Sequence, residues 1–349
     1  MNIPFLEVSG SSYKIGVAIG SAFRERMQAF VAFKRAQSAD WGGAAATEGA
    51  GILQDWCGRM APHLLDEMRG YADGADVSFE DVIRINSGDE ARARATSAGS
   101  DGCTGFALAP QFTGHGALAG QSKDGPGPQD EHYVVVLMRP ADRPAVLQLT
   151  YPGMLAVFGL SGTGMFLGAN QIYDGTTFTG MPVMLAKRLT WETSSVDEAA
   201  SLFSAHGLSA ANNYLLCDGQ GRAACLEVNG ANCVRIDPED GMIVHTNHYL
   251  CEALRGGENE TSIEAYRSRQ RRARLIELLR SQRGTATPSS IFDCYRDHDG
   301  YPRSICTHRL PAEHYGTTAV LVAETRTRRL HVCLGNPCRG RPKAFAMDL

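Results

Sequence analysis

The chain has no surplus of positive charge: 34 Lys and Arg face 38 Asp and Glu, leaving a formal charge of -4. No overall basic field therefore draws it to nucleic acid or anionic lipid. No uninterrupted apolar stretch approaches the roughly 18 residues that a membrane span needs. Met1 to Lys14 holds no basic segment followed by an apolar run of the signal-peptide kind, so a cytoplasmic protein is expected. None of the ten cysteines stands in a C-x-x-C pair, and the chain is far larger than disulfide-stapled scaffolds, so reduced thiols are expected. Internal repeats and linkers of pure Pro, Gly or Ser are lacking too, which favours one integrated domain over residues 1–349.

Apolar residues make up 43% of the chain and charged residues 21%, ample for a buried core. Ser11 to Gln37 places Ile15, Ile19, Phe23, Met27 and Phe30 at helical intervals, predicting one amphipathic helix. Gly42 to Gly51 is expected to break it. A second helix is predicted over Leu53 to Tyr71, and a third near Ser78, where Ser78 and Asp81 have capping spacing. After Asp101 short apolar runs separated by Gly, Pro and Asp predict strands and hairpins at 106–108, 117–119, 133–138, 146–151 and 164–172. Helices are predicted over Pro182 to Trp191 and from the Ser195-x-x-Glu198 box to Gly207. Strands return at 214–217, 224–228 and 242–246; an Arg-rich helix spans Ile263 to Arg283, and strands at 318–324 and 329–334 close the chain. Blocks of strands alternating with blocks of helices favour an α+β layered architecture with antiparallel sheets.

The segment Ser100-Asp101-Gly102-Cys103-Thr104-Gly105-Phe106 puts a cysteine at the start of a predicted strand, directly after a glycine in a polar turn. A lone Cys is most often a small packed residue. Here, however, the preceding carbonyl belongs to Gly102, which has no side chain, so it can be approached closely and attacked by the following thiol.

Asp101-Gly102-Cys103-Thr104 resembles the processing site of the isopenicillin N acyltransferase-like family of self-cleaving N-terminal-nucleophile enzymes. Further stretches occur in the family's order: Gly10-Ser11-Ser12-Tyr13-x-Ile15-Gly16, Gly120-Gln121-x-x-Asp124, Val244-His245-Thr246-Asn247-His248 and Tyr301-Pro302-x-Ser304-Ile305-Cys306. The resemblance implies a four-layer αββα sandwich and cleavage of Gly102-Cys103. A helical segment 1–102 and a catalytic segment 103–349 would result and stay associated. Cys103 would then carry both a thiol and a new α-amine. An α-amine titrates near ~7.7–8.0 and a thiol near ~8.5, so the amine can accept the thiol's proton at neutral pH. The activity implied is acyl transfer or amide hydrolysis through a thioester on Cys103. The partners implied are a small-molecule amide or acyl-thioester and an amine acceptor, with no nucleic acid, membrane, metal or cofactor. The resemblance gives Asn247 the role of oxyanion donor and Asp124 that of positioning the nucleophile's amine and assisting cleavage. Asn170 is placed near the amine by analogy with choloylglycine-type hydrolases.

Two positions depart from the family pattern. Thr307 stands where an Arg is expected and Lys123 where an aromatic is, leaving Arg303 or Arg309 to supply a cation. A different class of reading is a metal-binding protein or metal-dependent hydrolase using His245, His248 and Cys251, with Cys225 and Cys233 upstream. The cluster Arg267, Arg269, Arg271, Arg272 and Arg274 reads as the solvated face of its helix, balanced by Glu264 and Glu277.

Overall fold

A computed structural model describes residues 3–38, 41–94, 102–127, 129–310 and 315–348, without the side chains of 92–94. Ser100 and Asp101 lie outside the described residues. The chain opens with a strand, β1 (Phe5–Gly10), and continues through α1 (Ser12–Ala22), α2 (Arg24–Gln37), α3 (Ala44–Met60), α4 (Pro62–Ala75), α5 (Phe79–Asn86) and α6 (Gly88–Arg94). The helix predicted over 11–37 is thus two, parted at Phe23. The one predicted over 53–71 also divides, because Pro62 lacks an N–H and takes the first position of α4. The expected break at 42–51 is mostly helix, since the alanines around Thr47 outweigh Gly49 and Gly51 in propensity.

From Cys103 onward come β2 (Cys103–Leu108), α7 (Pro110–Thr113), β3 (Leu118–Pro126), β4 (Val134–Pro140), β5 (Val146–Thr150), β6 (Phe158–Ser161) and β7 (Phe166–Gln171). Next are α8 (Val183–Thr190), α9 (Val196–His206), β8 (Leu208–Cys217), β9 (Ala223–Gly230), β10 (Asn232–Ile236) and β11 (Met242–His245). The chain ends with α10 (Glu260–Ala265), α11 (Ser268–Arg280), α12 (Pro288–Tyr295), β12 (Tyr315–Glu324), β13 (Arg329–Leu334) and β14 (Lys343–Ala346). The predicted 263–283 helix is interrupted at Arg267, whose φ of 51 is left-handed.

The strands form two sheets, ordered β1-β4-β5-β6-β7-β8-β9-β10 and β11-β2-β3-β12-β13-β14. Within them only β1 pairs in parallel, with β4. Leu137, Leu147, Leu160 and Leu215 of the first sheet meet Ala107, Ala119, Ala319 and Leu321 of the second in a shared buried core. The first sheet's other face carries Ile15, Leu53, Met68, Leu185 and Phe203 from helices α1, α3, α4, α8 and α9. The second sheet's outer face is covered by Leu275 and Leu279 of α11 and Ile291 and Phe292 of α12. This is the four-layer α-β-β-α sandwich that the resemblance implied.

The amino-terminal glycine motif serves packing. A Cβ on Gly16 would lie 2.9 Å from the Gly70 Cα, so α1 and α4 meet backbone to backbone. None of the cysteines is in a disulfide. Among the described residues no helix is long and apolar enough to cross a membrane.

Candidate active site

Cys103 is the first residue of β2, which runs between the edge strand β11 and β3 in the second sheet. Its side chain is buried, as is every residue of the strand. The Gly102-Cys103 peptide is held at each polar atom of its two residues' backbone. Gly102 N–H donates to the Tyr315 hydroxyl, and Asp124 N–H donates to the Gly102 carbonyl at 2.7 Å. Cys103 N–H donates to Asn247 Oδ1 at 3.1 Å, and Arg271 Nη1 donates to the Cys103 carbonyl at 2.7 Å. Thr104 extends the grip, taking a bond from Arg271 at its Oγ1 at 2.6 Å and one from the Tyr295 hydroxyl at its carbonyl at 2.7 Å. In a buried site such bonds polarise one another and fix a single geometry.

Glycine at 102 follows from this crowding. A Cβ there would collide with the Tyr315 hydroxyl and stand 2.9 Å from Asp124 Oδ2. Close approach is thus what demands glycine here.

Asp124, on β3, is buried and pushed up to about 6, chiefly by its removal from water. The Arg271 charge and hydrogen bonds from Thr317 and Thr307 pull in the opposite direction. Thr317 donates to Oδ1 at 2.7 Å, and the Thr307 hydroxyl lies 3.3 Å from Oδ2 and 2.8 Å from the Ser304 carbonyl. The position where an Arg was expected therefore still meets Asp124, through a hydroxyl. Arg309 pairs with Asp130 at 2.9 Å, and the Arg303 guanidinium lies 4.8 Å from the ring centre of Tyr315 and 5.3 Å from that of Tyr266. Arg303 thus braces the tyrosine that holds Gly102.

A buried cation beside Cys103 is Arg271, which the sequence pattern assigned to a solvated face. It is 3% exposed. Arg271, Leu275 and Leu279 recur every four residues and so share the inward stripe of α11. That spacing was the available signal. Of its neighbours, Arg269 pairs with Glu260 and Arg274 with Asp297, as surface charges do, while Arg272 reaches the Val244 carbonyl.

Asn247 follows the end of β11, its N–H donating to Ser268 Oγ at 2.9 Å. Its Oδ1 takes bonds from Cys103 N and, at 2.8 Å, from Arg271 Nη2, and its Nδ2 donates to the Gln171 carbonyl at 2.8 Å. Arg271 has only donors, which fixes the amide orientation. Asn247 thus turns an acceptor to the Cys103 nitrogen. Asn170 Nδ2 donates to Asn213 Oδ1 and the His245 carbonyl, tying β7 to β8 and to the end of β11.

His245, His248 and Cys251 do not form a ligand set. The His245 ring contacts Glu227 at 2.6 Å through Nε2 and the Thr246 carbonyl through Nδ1. His248 Nδ1 meets Ser268 Oγ at 2.9 Å, and burial with nearby positive charge pushes this histidine down to about 3. The Cys251 N–H donates to Glu227. These groups are spent on holding the loop that presents Asn247.

A cavity of about 110 Å³ opens beside Cys103, with Lys34, Lys123, Lys187, Asp89, Gln171 and Asn212 in its wall. Lys123, where the family pattern has an aromatic, gives this wall a third lysine.

Residues 112–339 match the family described as acyl-coenzyme A:6-aminopenicillanic acid acyl-transferase. The 40 kDa form of the acyl-coenzyme A:6-aminopenicillanic-acid-acyltransferase of Emericella nidulans is 28% identical over 280 residues, 79% of this chain and 76% of that one. A mutant conjugated bile acid hydrolase from Clostridium perfringens superposes with a TM-score of 0.47 at 10% identity, covering 70% of this chain and 97% of that one. Penicillin V acylase from Agrobacterium tumefaciens gives 0.40 at 11% identity, covering 72% and 79%.

Proposed function

The chain belongs to the acyl-coenzyme A:6-aminopenicillanic acid acyl-transferase family, and from that membership we propose that it is a self-processing acyltransferase whose nucleophile is Cys103. The observation that carries the reading is the grip on Gly102-Cys103, where the scissile carbonyl accepts a hydrogen bond from Asp124 N–H at 2.7 Å.

In processing, the Cys103 thiolate attacks the Gly102 carbonyl carbon. The oxyanion that forms lies against Asp124 N–H, a fixed donor of the kind that stabilises tetrahedral intermediates. The carbon–nitrogen bond then breaks, its nitrogen takes a proton to become the α-amine of Cys103, and water hydrolyses the Gly102 thioester. The amine remains beside Asn247 Oδ1. In turnover it accepts the thiol proton while sulfur attacks the acyl donor, and it returns that proton to the leaving group. An amine acceptor, or water, releases the acyl group from sulfur. The donor class is an acyl-CoA thioester or a small amide, and the lysines of the adjoining wall favour one that carries negative charge.

Purified protein is expected to run as two chains under denaturing conditions, the larger beginning Cys103-Thr104-Gly105. Cys103→Ala should remain one chain, and Gly102→Ala should be arrested or slowed by the collision with Tyr315. Wild-type protein that turns over acyl donors while still uncleaved would overturn the amine-as-base reading.

A further inference from the structure

Away from Cys103, the loop following α12 turns back on itself and meets the segment following β13. Four side chains converge there: His298, Cys306, His308 and Cys338, whose ligand atoms all lie within 4.8 Å of one another. Cys306 and His308 are buried, Cys338 is half-buried and His298 is exposed. Cys306 Sγ is 3.7 Å from Cys338 Sγ. His308 Nε2 is 3.5 Å from each of these sulfurs and 3.0 Å from His298 Nε2.

These spacings have a common explanation. With zinc bonds of about 2.3 Å to sulfur and about 2.0–2.1 Å to imidazole nitrogen, a tetrahedron has edges of about 3.8 Å between sulfurs, 3.5 Å between sulfur and nitrogen, and 3.3 Å between nitrogens. The distances among Cys306, His308 and Cys338 and between the two histidines fall close to those edges, and the sulfurs are not joined in a disulfide. We propose that His298, Cys306, His308 and Cys338 bind one zinc ion in a closed tetrahedral site. Two thiolates cancel the ion's charge, and a sulfur and imidazole set selects zinc over hard cations such as magnesium or calcium. Four protein ligands leave no open position, which makes the site structural. The surrounding bonds fit this role: Asn336 Nδ2 donates to Cys306 Sγ at 3.4 Å and to the Thr307 carbonyl at 2.8 Å, the kind of outer contact that orients a thiolate ligand.

The site has a consequence for the nucleophile. Ligands Cys306 and His308 flank Thr307, whose hydroxyl lies 3.3 Å from Asp124 Oδ2 and whose N–H donates to Thr317 Oγ1 at 3.0 Å. The ion would clamp the loop that delivers Thr307 to Asp124.

The test uses the full chain without a histidine tag, purified under reducing conditions and analysed for metals by mass spectrometry. About one zinc per chain is expected. Exchange for cobalt should bring the visible bands of a tetrahedral ion and a thiolate-to-cobalt charge-transfer band. Cys338→Ser should lose both signals, and His298→Gln, at an exposed position, should lower metal occupancy in a chain that still folds. Wild type that neither carries zinc nor develops the cobalt bands overturns the proposal. So does zinc that persists in Cys338→Ser, or a wild type found metal-free with Cys306 and Cys338 oxidised to a disulfide.

Discussion

Asp124 is a carboxyl enclosed by protein, and its environment sets the sign of a pH effect. Its ordinary value near ~3.9 is pushed up to about 6 in the fold. The folded state therefore binds the proton more tightly than the unfolded chain does. The stabilisation from the protonated form is fully present below about pH 4 and is lost as pH rises through about 6. Asp124→Asn keeps a neutral side chain at every pH. Compared in a Cys103→Ala background, where both proteins stay uncleaved, Asn should gain stability over Asp between pH 4 and 7 by up to roughly 3 kcal/mol. Urea unfolding at the two pH values measures it, and parallel pH dependence in both proteins would remove the effect. Asp124, Cys103 and Asn247 were legible in the sequence because each sits in a short run whose order along the chain matches a family. Tyr315 was not, since it lies three residues before the predicted start of its strand and touches Gly102 only through folding.

Helix α11 shows how a stretch can be read correctly as an element and wrongly as a surface. Its arginines outnumber its leucines, so composition points to solvent, yet the four-residue spacing puts Arg271 on the leucine side. There one guanidinium spans the Cys103 carbonyl, Thr104 Oγ1 and Asn247 Oδ1. A lysine keeps the charge but has no planar fork to bridge those acceptors. Arg271→Lys is expected to slow cleavage at Gly102-Cys103 by roughly 10–100-fold, the value of one or two charge-assisted bonds. The precursor's half-life, followed on gels, reports it, and cleavage at the wild-type rate would exclude Arg271 from holding the site. Capping signals were reliable elsewhere: Ser78 accepts from Asp81 N and Ser195 from Glu198 N, as their spacing predicted. Strand β1 escaped notice because it is half-exposed along its whole length, and α12 because Thr287-Pro288-Ser289-Ser290 resembles a turn, although Thr287 and Ser290 form a capping box. The His298, Cys306, His308 and Cys338 cluster lacks the paired spacing that marks zinc motifs in sequence; only the return of the chain after β13 assembles it.

At the scale of the molecule, cleavage at Gly102-Cys103 would leave two segments joined by a shared sheet, hydrogen bonds and a buried ion pair. Strand β1 pairs with β4 in the first sheet. Glu90 Oε1 takes bonds from Val183 N at 2.9 Å and Ser209 Oγ at 2.7 Å. A further buried link is the ion pair of Glu67 Oε2 with Arg188 Nη2 at 2.8 Å, with side chains 2% and 4% exposed. Tyr71 completes it, donating to Glu67 Oε1 at 2.7 Å. Each of these links joins residues before 102 to residues after 103, or supports one that does. Processed protein should therefore elute from gel filtration as a single species containing both segments, separating only in denaturant. The ion pair gives a finer test, because removing one member strands the other charge away from water. Arg188→Met should cost about 3–5 kcal/mol, whereas Glu67→Gln combined with Arg188→Met should recover most of that loss, since no buried charge remains. Thermal unfolding of the single and double variants, with gel filtration of each after cleavage, makes the comparison. If the double variant is as unstable as Arg188→Met, uncompensated charge is not the cause. If residues 1–102 wash away from wild type under native conditions, shared burial is too weak to keep the segments together.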